Sequence, residues 1–277
     1  MKTFVKECRW GKFLLLQGDM ISYYTDLYGE WSDIEVRLFK RLLTPGSNIV
    51  EVGANLGLHT VPLATIAKQG KVVCFEPQRI IFQILCANVA FNNLINVSAH
   101  QTAVSDADGS IIIDSSDYEQ PWNYGSFSLA EGLSAEGEFP GVVLRESVQT
   151  ITLDTFPPVR DLASLDLLKI DAEGHETAVL RGAAKVIAAR QPIIFVENNN
   201  PRHGDELIAD IEKLGYAPYW FCSARYQPDN FNRVSTVVPG YDINMVCFPA
   251  QRAPIDGLRR ALRFAEITDG IPMVRIP

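Results

Sequence analysis

The sequence lacks the features of secreted, membrane-spanning and nucleic-acid-binding proteins. Its five cysteines are odd in number, widely scattered and never spaced as CxxC, which argues against a disulfide framework and against a cysteine zinc site. The apolar run "FLLL" (13–16) is too short for a signal peptide or a membrane span. The net charge of −8 would repel a phosphate backbone. We therefore expect a cytoplasmic protein that binds neither membranes nor nucleic acid.

The sequence does contain apolar strand patterns that alternate with helical ones. With 277 residues, 47% of them hydrophobic, the chain can build one large α/β domain. The runs "NIVEV", "KVVCFE", "LDLLKID" and "PIIFVE" each fit a buried strand that a helix follows. Such repeated units predict a parallel sheet with helices on both faces, and "YAPYWF" and "DINMVCF" predict an antiparallel pair at its edge.

The segments that do not follow the strand–helix alternation indicate how the chain is divided into an extension, a main domain and a tail. Residues 1–28 are predicted to be a β-rich N-terminal extension, residues 29–250 the main domain, and residues 251–277 a tail in which "GLRRALRFA" docks as a terminal helix. The stretch 115–146 is polar, glycine-rich and aromatic. It is too long for an ordinary connection, so we expect it to be a lid over the substrate. The extension and the tail could also make a homodimer contact.

A glycine turn follows the first predicted strand. In "NIVEVGANLGLHT" (48–60), Gly53 would turn the chain out of the strand, and Gly57 would let the next helix direct its amides at a ligand. Glu76 ends the second strand, where its carboxylate can accept both hydroxyls of a ribose. Ligands of open parallel sheets bind beyond the carboxyl ends of the strands. These features are shared by dinucleotide and S-adenosylmethionine sites.

Two details favour S-adenosylmethionine. The motif lacks the third glycine of GxGxxG, so the turn that cradles a pyrophosphate is incomplete. Glu51 would be unhelpful beside a diphosphate but suits an ammonium or a sulfonium group. The alternative is an NAD-dependent oxidoreductase on a Rossmann sheet, although a Ser-Tyr-x-x-x-Lys catalytic set is missing. A non-catalytic S-adenosylmethionine-binding protein is a further alternative.

Several motifs occur together in one order, and together they resemble a known family: "VEVGANLGLHT", "GKVVCFEP", "GSFSL", "LDLLKIDAEGHETAVLRGA" and "INMVCFP". In that order and spacing they resemble the FkbM family of S-adenosylmethionine-dependent methyltransferases, over residues 29–250. The resemblance implies a Rossmann-like class I methyltransferase fold with a seven-stranded, mostly parallel sheet. It also implies methyl transfer to a hydroxyl of a sugar or natural-product-type small molecule. Family members more often have Asp at the position of Glu51 and a small or apolar residue at that of His175.

The resemblance also implies a set of cofactor contacts, carried over position by position. The methionine end of S-adenosylmethionine would lie at the first turn, the ribose at the second strand and the adenine at the third. The implied residues are Glu51, Gly53, Asn55, Gly57, Glu76, Ala103 and Val104.

Polar residues follow the fourth and fifth predicted strands, in "KIDAEGHE" and "VENNNPRHG". Methyl transfer requires that the acceptor oxygen be held near the methyl carbon and that its proton be removed. The candidates for this proton transfer are Asp171, Glu173, His175 and His203, the histidines because imidazole titrates near neutral pH.

The same strand ends also suggest a metal site. Asp171, Glu197 and Asn198 offer the hard oxygen ligands that Mg²⁺ prefers, and a metal-bound hydroxyl loses its proton more readily. We therefore hypothesise a Mg²⁺ site beside the cofactor. The acidic chain and the aromatic residues of the lid favour a neutral, polyhydroxylated acceptor such as a carbohydrate.

Overall fold

A mixed eight-stranded sheet forms the centre of the molecule. The computed structural model describes residues 1–129, 131–134, 137–268, 270, 273–274 and 276. Its strands are β1 (Thr3–Cys8), β2 (Gly11–Leu16), β3 (Ile49–Val52), β4 (Val72–Phe75), β5 (Val97–His100), β6 (Ala103–Val104), β7 (Gly109–Ser116), β8 (Val143–Ile151), β9 (Leu167–Ile170), β10 (Ile193–Glu197), β11 (Tyr216–Ala224), β12 (Tyr241–Pro249) and β13 (Arg259–Arg260). Its helices are α1 (Met20–Tyr28), α2 (Asp33–Leu42), α3 (Thr60–Ile66), α4 (Arg79–Phe91), α5 (Pro157–Arg160), α6 (Glu176–Gly182), α7 (Ala184–Arg190), α8 (Gly204–Lys213) and α9 (Ala265–Thr268).

The order of the strands places a topological switch point in the middle of this sheet. The order is β13-β11-β12-β10-β9-β3-β4-β5, with parallel pairing from β10 to β5 and antiparallel pairing among the others. From β3 the chain runs outward through β4 and β5, then crosses to β9 and β10 on the other side. The prediction of a mostly parallel Rossmann-like sheet with an antiparallel edge pair is confirmed, and β13 adds a short eighth strand.

The strands are buried on both faces, and their alternation decides which side chains meet. Ile49, Leu167 and Phe195 pack against α2 and α3, whereas Val50 and Leu168 pack against the helices of the opposite face. On the α2 side of the sheet, the next side chains toward the carboxyl ends of the strands are Glu51, Lys169, Asp171 and Glu197. Polar side chains near the carboxyl ends of β3, β9 and β10 therefore lie on the α2 side of the sheet.

The N-terminal extension is only partly β-structure, because α1 (Met20–Tyr28) follows the β1–β2 hairpin. The hairpin is fixed to α4 by Asn88, whose amide pairs with the backbone of Leu14, and by Asn92, which pairs with Lys12. The extension is thus integrated with the main domain.

The predicted lid lies between the two strands of a hairpin. β7 and β8 form an antiparallel pair that includes Gly109 to Ser116 of β7. The end of β7 and the start of β8 belong to the stretch 115–146, and residues 117–142 connect the two strands. Residues 130, 135 and 136 of that stretch lie outside the described residues.

The predicted terminal helix over "GLRRALRFA" is wrong. Arg259 and Arg260 instead pair with β11 as β13, and only Ala265–Thr268 is helical. The amide of Ala261 donates to the carbonyl of Pro218 in β11. The segment thus satisfies backbone groups of β11 that would lack hydrogen-bond partners if β11 were an exposed edge strand. Across the described residues, no helix combines the length and the apolar character needed to cross a membrane.

Candidate active site

A cavity of about 1210 Å³, part of it open to solvent, lies where β3, β4, β9 and β10 end. This is the switch point at which open α/β sheets bind ligands. The predicted site residues that line it are Glu51, Gly53, Asn55, Glu76, Ala103, Val104, Asp171, Glu173 and Glu197.

The glycine turn after β3 is closely packed against its neighbours. Gly53 has a φ of +77°, and a Cβ atom there would lie 1.7 Å from the carbonyl oxygen of Asp171. The amides of Gly53 and Ala54 both donate to the carbonyl of Phe75. Asn55 and Gly57 also have positive φ, of +48° and +83°. The turn can therefore keep this shape only with glycine at position 53.

Glu76 is held rigidly by the backbone around it. Its Oε2 accepts from the amide of Asn55 at 3.0 Å, and its Oε1 accepts from the amide of Gln78 at 2.9 Å. The residue is 3% exposed, and this burial raises the pKa of its carboxyl to about 7. Glu76 is thus a fixed acceptor on the cavity wall.

A buried lysine connects the carboxylates at the ends of β3 and β9. Lys169 Nζ lies 3.2 Å from Asp171 Oδ2 and 3.7 Å from Glu51 Oε1, and Glu51 Oε2 accepts from the hydroxyl of Thr60 at 2.6 Å. Burial alone would lower the pKa of Lys169, but Asp171, Glu51 and Glu35 outweigh it and raise that pKa above its ordinary value. The charge of Lys169 therefore compensates acidic groups that would otherwise repel one another.

Three carboxylates meet on the β9–β10 side of the cavity. One oxygen each of Asp171, Glu173 and Glu197 lies within 4.8 Å of the others. Burial, followed by the charges of Glu173 and Asp171, raises the pKa of Glu197 well above its ordinary value. Such a cluster can take up a proton or hold a cation.

Asn198, the third predicted metal ligand, is not part of this cluster. Its Nδ2 donates to the carbonyl of Gly204 at 3.2 Å and lies against Met245 Sδ. Asn198 does not line the cavity, whereas its neighbour Asn199 does.

His175 and His203 also lie away from this cavity. Both line a separate hollow between α6 and α8. His175 Nε2 lies 2.9 Å from the hydroxyl of Ser105, and His203 Nδ1 lies 3.6 Å from Glu206. The hollow shares Glu197 with the main cavity, but the structure does not bring these two histidines to the predicted cofactor residues.

Glu35 and His59, which no site prediction included, also line the cavity. His59 Nε2 lies 3.4 Å from Glu35 Oε2, and Glu35 Oε1 accepts from Asn244 Nδ2 at 2.9 Å. Burial raises the pKa of Glu35 well above its usual range and lowers that of His59 well below it. No catalytic or binding motif includes Glu35, because the packing of α2 on the sheet is what directs this side chain to the cavity.

The far wall of the cavity combines aromatic and charged side chains. Arg225 pairs with Asp242 at 2.9 Å, and its guanidinium lies over the rings of Tyr24 and Trp31 at 5.2 and 5.1 Å. Met20 and Ile21 of α1, at the end of the N-terminal extension, complete this wall.

The predicted lid segment also lines the cavity. Its helical turn, Tyr124–Ser126, lies near α1, and Gly125 and Phe127 face the cavity. Just before this turn, the amide of Trp122 donates to the carbonyl of Gly18, and the carbonyl of Trp122 accepts from the amide of Met20. The lid is thus joined to the N-terminal extension.

The chain is similar in sequence to known methyltransferases. A family model described as the methyltransferase FkbM domain matches residues 51–218, more than half of the chain. The chain is 29% identical over 146 residues to "Methyltransferase 1" of Beauveria bassiana (strain ARSEF 2860), an alignment that covers 49% of this chain and 58% of that protein. It is 28% identical over 198 residues to "Methyltransferase sdnD" of Sordaria araneosa, covering 61% and 74%. The chain thus spans less than two thirds of the first relative's length.

Similar solved structures are more distant in sequence. A methyltransferase FkbM from Methylobacillus flagellatus KT is 14% identical with a TM-score of 0.43, and the match covers 76% of this chain and 48% of that chain. An O-methyltransferase from Bacillus cereus in complex with SAH is 18% identical with a TM-score of 0.44, covering 78% and 80%.

Proposed function

Because this chain belongs to the FkbM methyltransferase family, we propose that it transfers a methyl group from S-adenosylmethionine to a hydroxyl of a sugar or natural-product-type small molecule. The observation that carries the proposal is the combination in one cavity of the Gly53 turn, the fixed carboxylate of Glu76 and the carboxylates of Asp171, Glu173 and Glu197. The first two suit an adenosyl cofactor, and the last three suit proton removal from an acceptor.

The residues around the glycine turn fit the cofactor. Glu76 would accept the two ribose hydroxyls, since its position and orientation are already set by two backbone amides. Ala103 and Val104 are buried in β6, which follows the third strand β5 and pairs with β8 outside the central sheet, and they would flank the adenine. Glu51 would lie near the ammonium group, where its negative charge is favourable. When bound, the cofactor supplies an electrophilic methyl group on a sulfonium.

The carboxylates at the ends of β9 and β10 would handle the proton of the acceptor. The acceptor O–H bond breaks as the new O–CH₃ bond forms and the methyl–sulfur bond breaks, so a base is needed on the acceptor side. Glu197 suits this role because its raised pKa makes it a stronger base than an ordinary carboxylate. Asp171, held by Lys169, would position the hydroxyl.

Direct methyl-transfer assays test this proposal. Purified protein should bind S-adenosylhomocysteine in calorimetry and transfer labelled methyl to a member of a panel of hydroxylated compounds. We expect Glu197→Gln to lower kcat by about 10²-fold or more, with little change in S-adenosylhomocysteine affinity, because loss of a general base acts on the chemical step. His203→Ala, in the separate hollow, is the matched control and should keep most of the activity. Binding of NAD without binding of S-adenosylhomocysteine would contradict the proposal.

A divalent cation such as Mg²⁺ is a second way in which the same carboxylates could act. Asp171, Glu173 and Glu197 lie close enough to share one ion, which would leave positions for water and for an acceptor diol. In that case activity should disappear on treatment with EDTA and return with added Mg²⁺. Full activity after thorough chelation would exclude this variant and leave the metal-free base.

A further inference from the structure

The side chain of Gln78 lies between the cofactor cavity and the lid. Gln78 precedes α4, is 4% exposed and lines the cavity. Its Nε2 donates to the carbonyl oxygen of Tyr124, in the lid turn, at 3.1 Å. Its backbone amide donates to Glu76 Oε1. One residue therefore contacts both the proposed ribose-binding carboxylate and the lid.

The contact with Tyr124 fixes the orientation of the Gln78 amide. A carbonyl oxygen can only accept a hydrogen bond, so the amide nitrogen must face Tyr124 and the amide oxygen must face away. That oxygen, Oε1, is buried and has no hydrogen-bond partner among the described residues. Buried acceptors in folded proteins are normally paired, so this oxygen calls for a donor from a molecule bound in the cavity.

The position of Gln78 limits which donor that can be. Glu76, two residues earlier, is the proposed acceptor for the ribose hydroxyls, and Thr102 and Ala103 line the adjoining part of the cavity where the adenine is expected. Once the ribose hydroxyls are assigned to Glu76, the donor that remains on adenosine is the exocyclic amine of adenine.

We propose that Gln78 is a further cofactor-binding residue, whose Oε1 accepts a hydrogen bond from the adenine amine while its Nε2 holds the lid at Tyr124. This inference rests on the proposed use of S-adenosylmethionine. It makes Gln78 a determinant of base specificity, and it joins the cofactor to the lid through one side chain.

Calorimetry with two ligands tests this proposal. S-adenosylhomocysteine carries the amine, whereas S-inosylhomocysteine has a carbonyl oxygen in its place and so offers no donor there. We expect wild-type protein to bind the first at least about tenfold more tightly, as one lost hydrogen bond would produce. Gln78→Met, which has a similar volume and no amide, should bind both ligands with nearly equal affinity. Gln101→Met, at an exposed glutamine outside the cavity, should keep the wild-type preference.

The outcomes separate this inference from the proposed function. Failure of wild-type protein to bind S-adenosylhomocysteine would overturn both. Equal binding of the two ligands by wild-type protein, or an unchanged preference in Gln78→Met, would overturn the role of Gln78 alone. Should Gln78→Met fail to fold, Gln78→Glu keeps an acceptor oxygen and loses the donor to Tyr124. It should then retain the preference for the amine, and loss of that preference would count against the proposal.

Discussion

At the scale of single residues, Glu76 shows how backbone amides can orient a buried carboxylate on a cavity wall. Both of its oxygens already accept backbone amides, so its position is set before any ligand arrives. Its pKa of about 7 means that its charge changes within the physiological range. An ionised carboxylate accepts hydroxyl donors better than a protonated one does, so the state of Glu76 should control ribose binding.

We therefore predict that S-adenosylhomocysteine affinity rises with pH up to about 7 and then levels off. Below that pH the affinity should fall by up to about tenfold per unit, because binding must remove the proton from Glu76. Calorimetry between pH 5.5 and 8 measures this dependence. Glu76→Gln should bind more weakly and without the slope. Glu30→Gln is the control, because Glu30 is also buried, with a pKa of about 6, but lies outside the cavity lining. The same slope in Glu76→Gln and in the wild type would show that another group is responsible.

Gly53 gives a second prediction at this scale. Alanine there must adopt a φ of +77° and avoid a carbonyl oxygen only 1.7 Å from its Cβ, so the turn must move away from β9. We expect Gly53→Ala to lower the free energy of unfolding by about 1–3 kcal/mol and to weaken S-adenosylhomocysteine binding at least about tenfold. Urea unfolding and calorimetry measure the two effects.

The control for Gly53 is Gly174→Ala. Gly174 has a comparable φ of +92°, but a Cβ atom there would have no neighbour within 4 Å. An equal loss of binding in both variants would mean that the backbone angle, and not the contact with Asp171, is responsible.

At the scale of secondary-structure elements, the lid and α1 share one buried carboxylate. Asp19 Oδ2 accepts from the amide of Ser22 at the start of α1, and Asp19 Oδ1 accepts from the amide of Tyr124 in the lid. Burial raises the pKa of Asp19 to about 6. The carboxyl therefore binds its proton more tightly in the folded chain than in the unfolded one, where the ordinary value is 3.8.

This difference predicts a pH effect on stability with a definite sign. The stabilisation that Asp19 gives the folded state is fully present below about pH 4 and is lost as the pH rises through about 6. This loss lowers the free energy of unfolding by about 3 kcal/mol at most. Asp19→Asn removes the titrating group, so its free energy of unfolding should fall less between pH 4 and 7 than that of the wild type. Urea unfolding at several pH values measures both slopes, and parallel slopes would contradict the prediction.

At the scale of the whole molecule, the N-terminal extension and the glycine turn depend on one asparagine. Asn88 is fully buried, and its amide pairs with the amide and the carbonyl of Leu14 and with the carbonyl of Leu56. Leu14 belongs to β2 and Leu56 to the turn after β3. A side chain on α4 thus connects the β1–β2 hairpin to the glycine turn that lines the cavity.

We predict that Asn88→Ala lowers the free energy of unfolding by about 2–5 kcal/mol, because it leaves several buried backbone groups without partners. It should also weaken S-adenosylhomocysteine binding, since the turn at Leu56 loses its support. Asn92→Ala is the matched control: Asn92 makes the same kind of backbone pair, with Lys12, but at a half-buried position that water can reach. If denaturation curves show that the two variants lose the same free energy of unfolding, Asn88 has no special role.

Local sequence patterns are sufficient to predict the central sheet, the glycine turn after β3 and the carboxylate at the end of β4. Strand, glycine turn and helix follow one another directly in the sequence. Gly53 and Glu76 lie at the ends of strands, so local patterns are sufficient to predict the positions of both residues. Strand alternation also explains why Glu197 joins Asp171 while Asn198 does not, because adjacent residues of a strand face opposite sides.

The other walls of the cavity depend on tertiary packing. Glu35 lies in α2, Arg225 follows β11 and Asp242 lies in β12, so these side chains come from distant parts of the chain and line one cavity only in the folded molecule. His175 follows Glu173 and Gly174, both with positive φ, and this turn directs its ring to the hollow at α8 instead of the cavity. Arg259 and Arg260 form a short strand because the edge of β11 is available to pair with them. In each case the arrangement is stabilised by contacts between segments that are far apart in sequence, and local sequence patterns do not reveal such contacts.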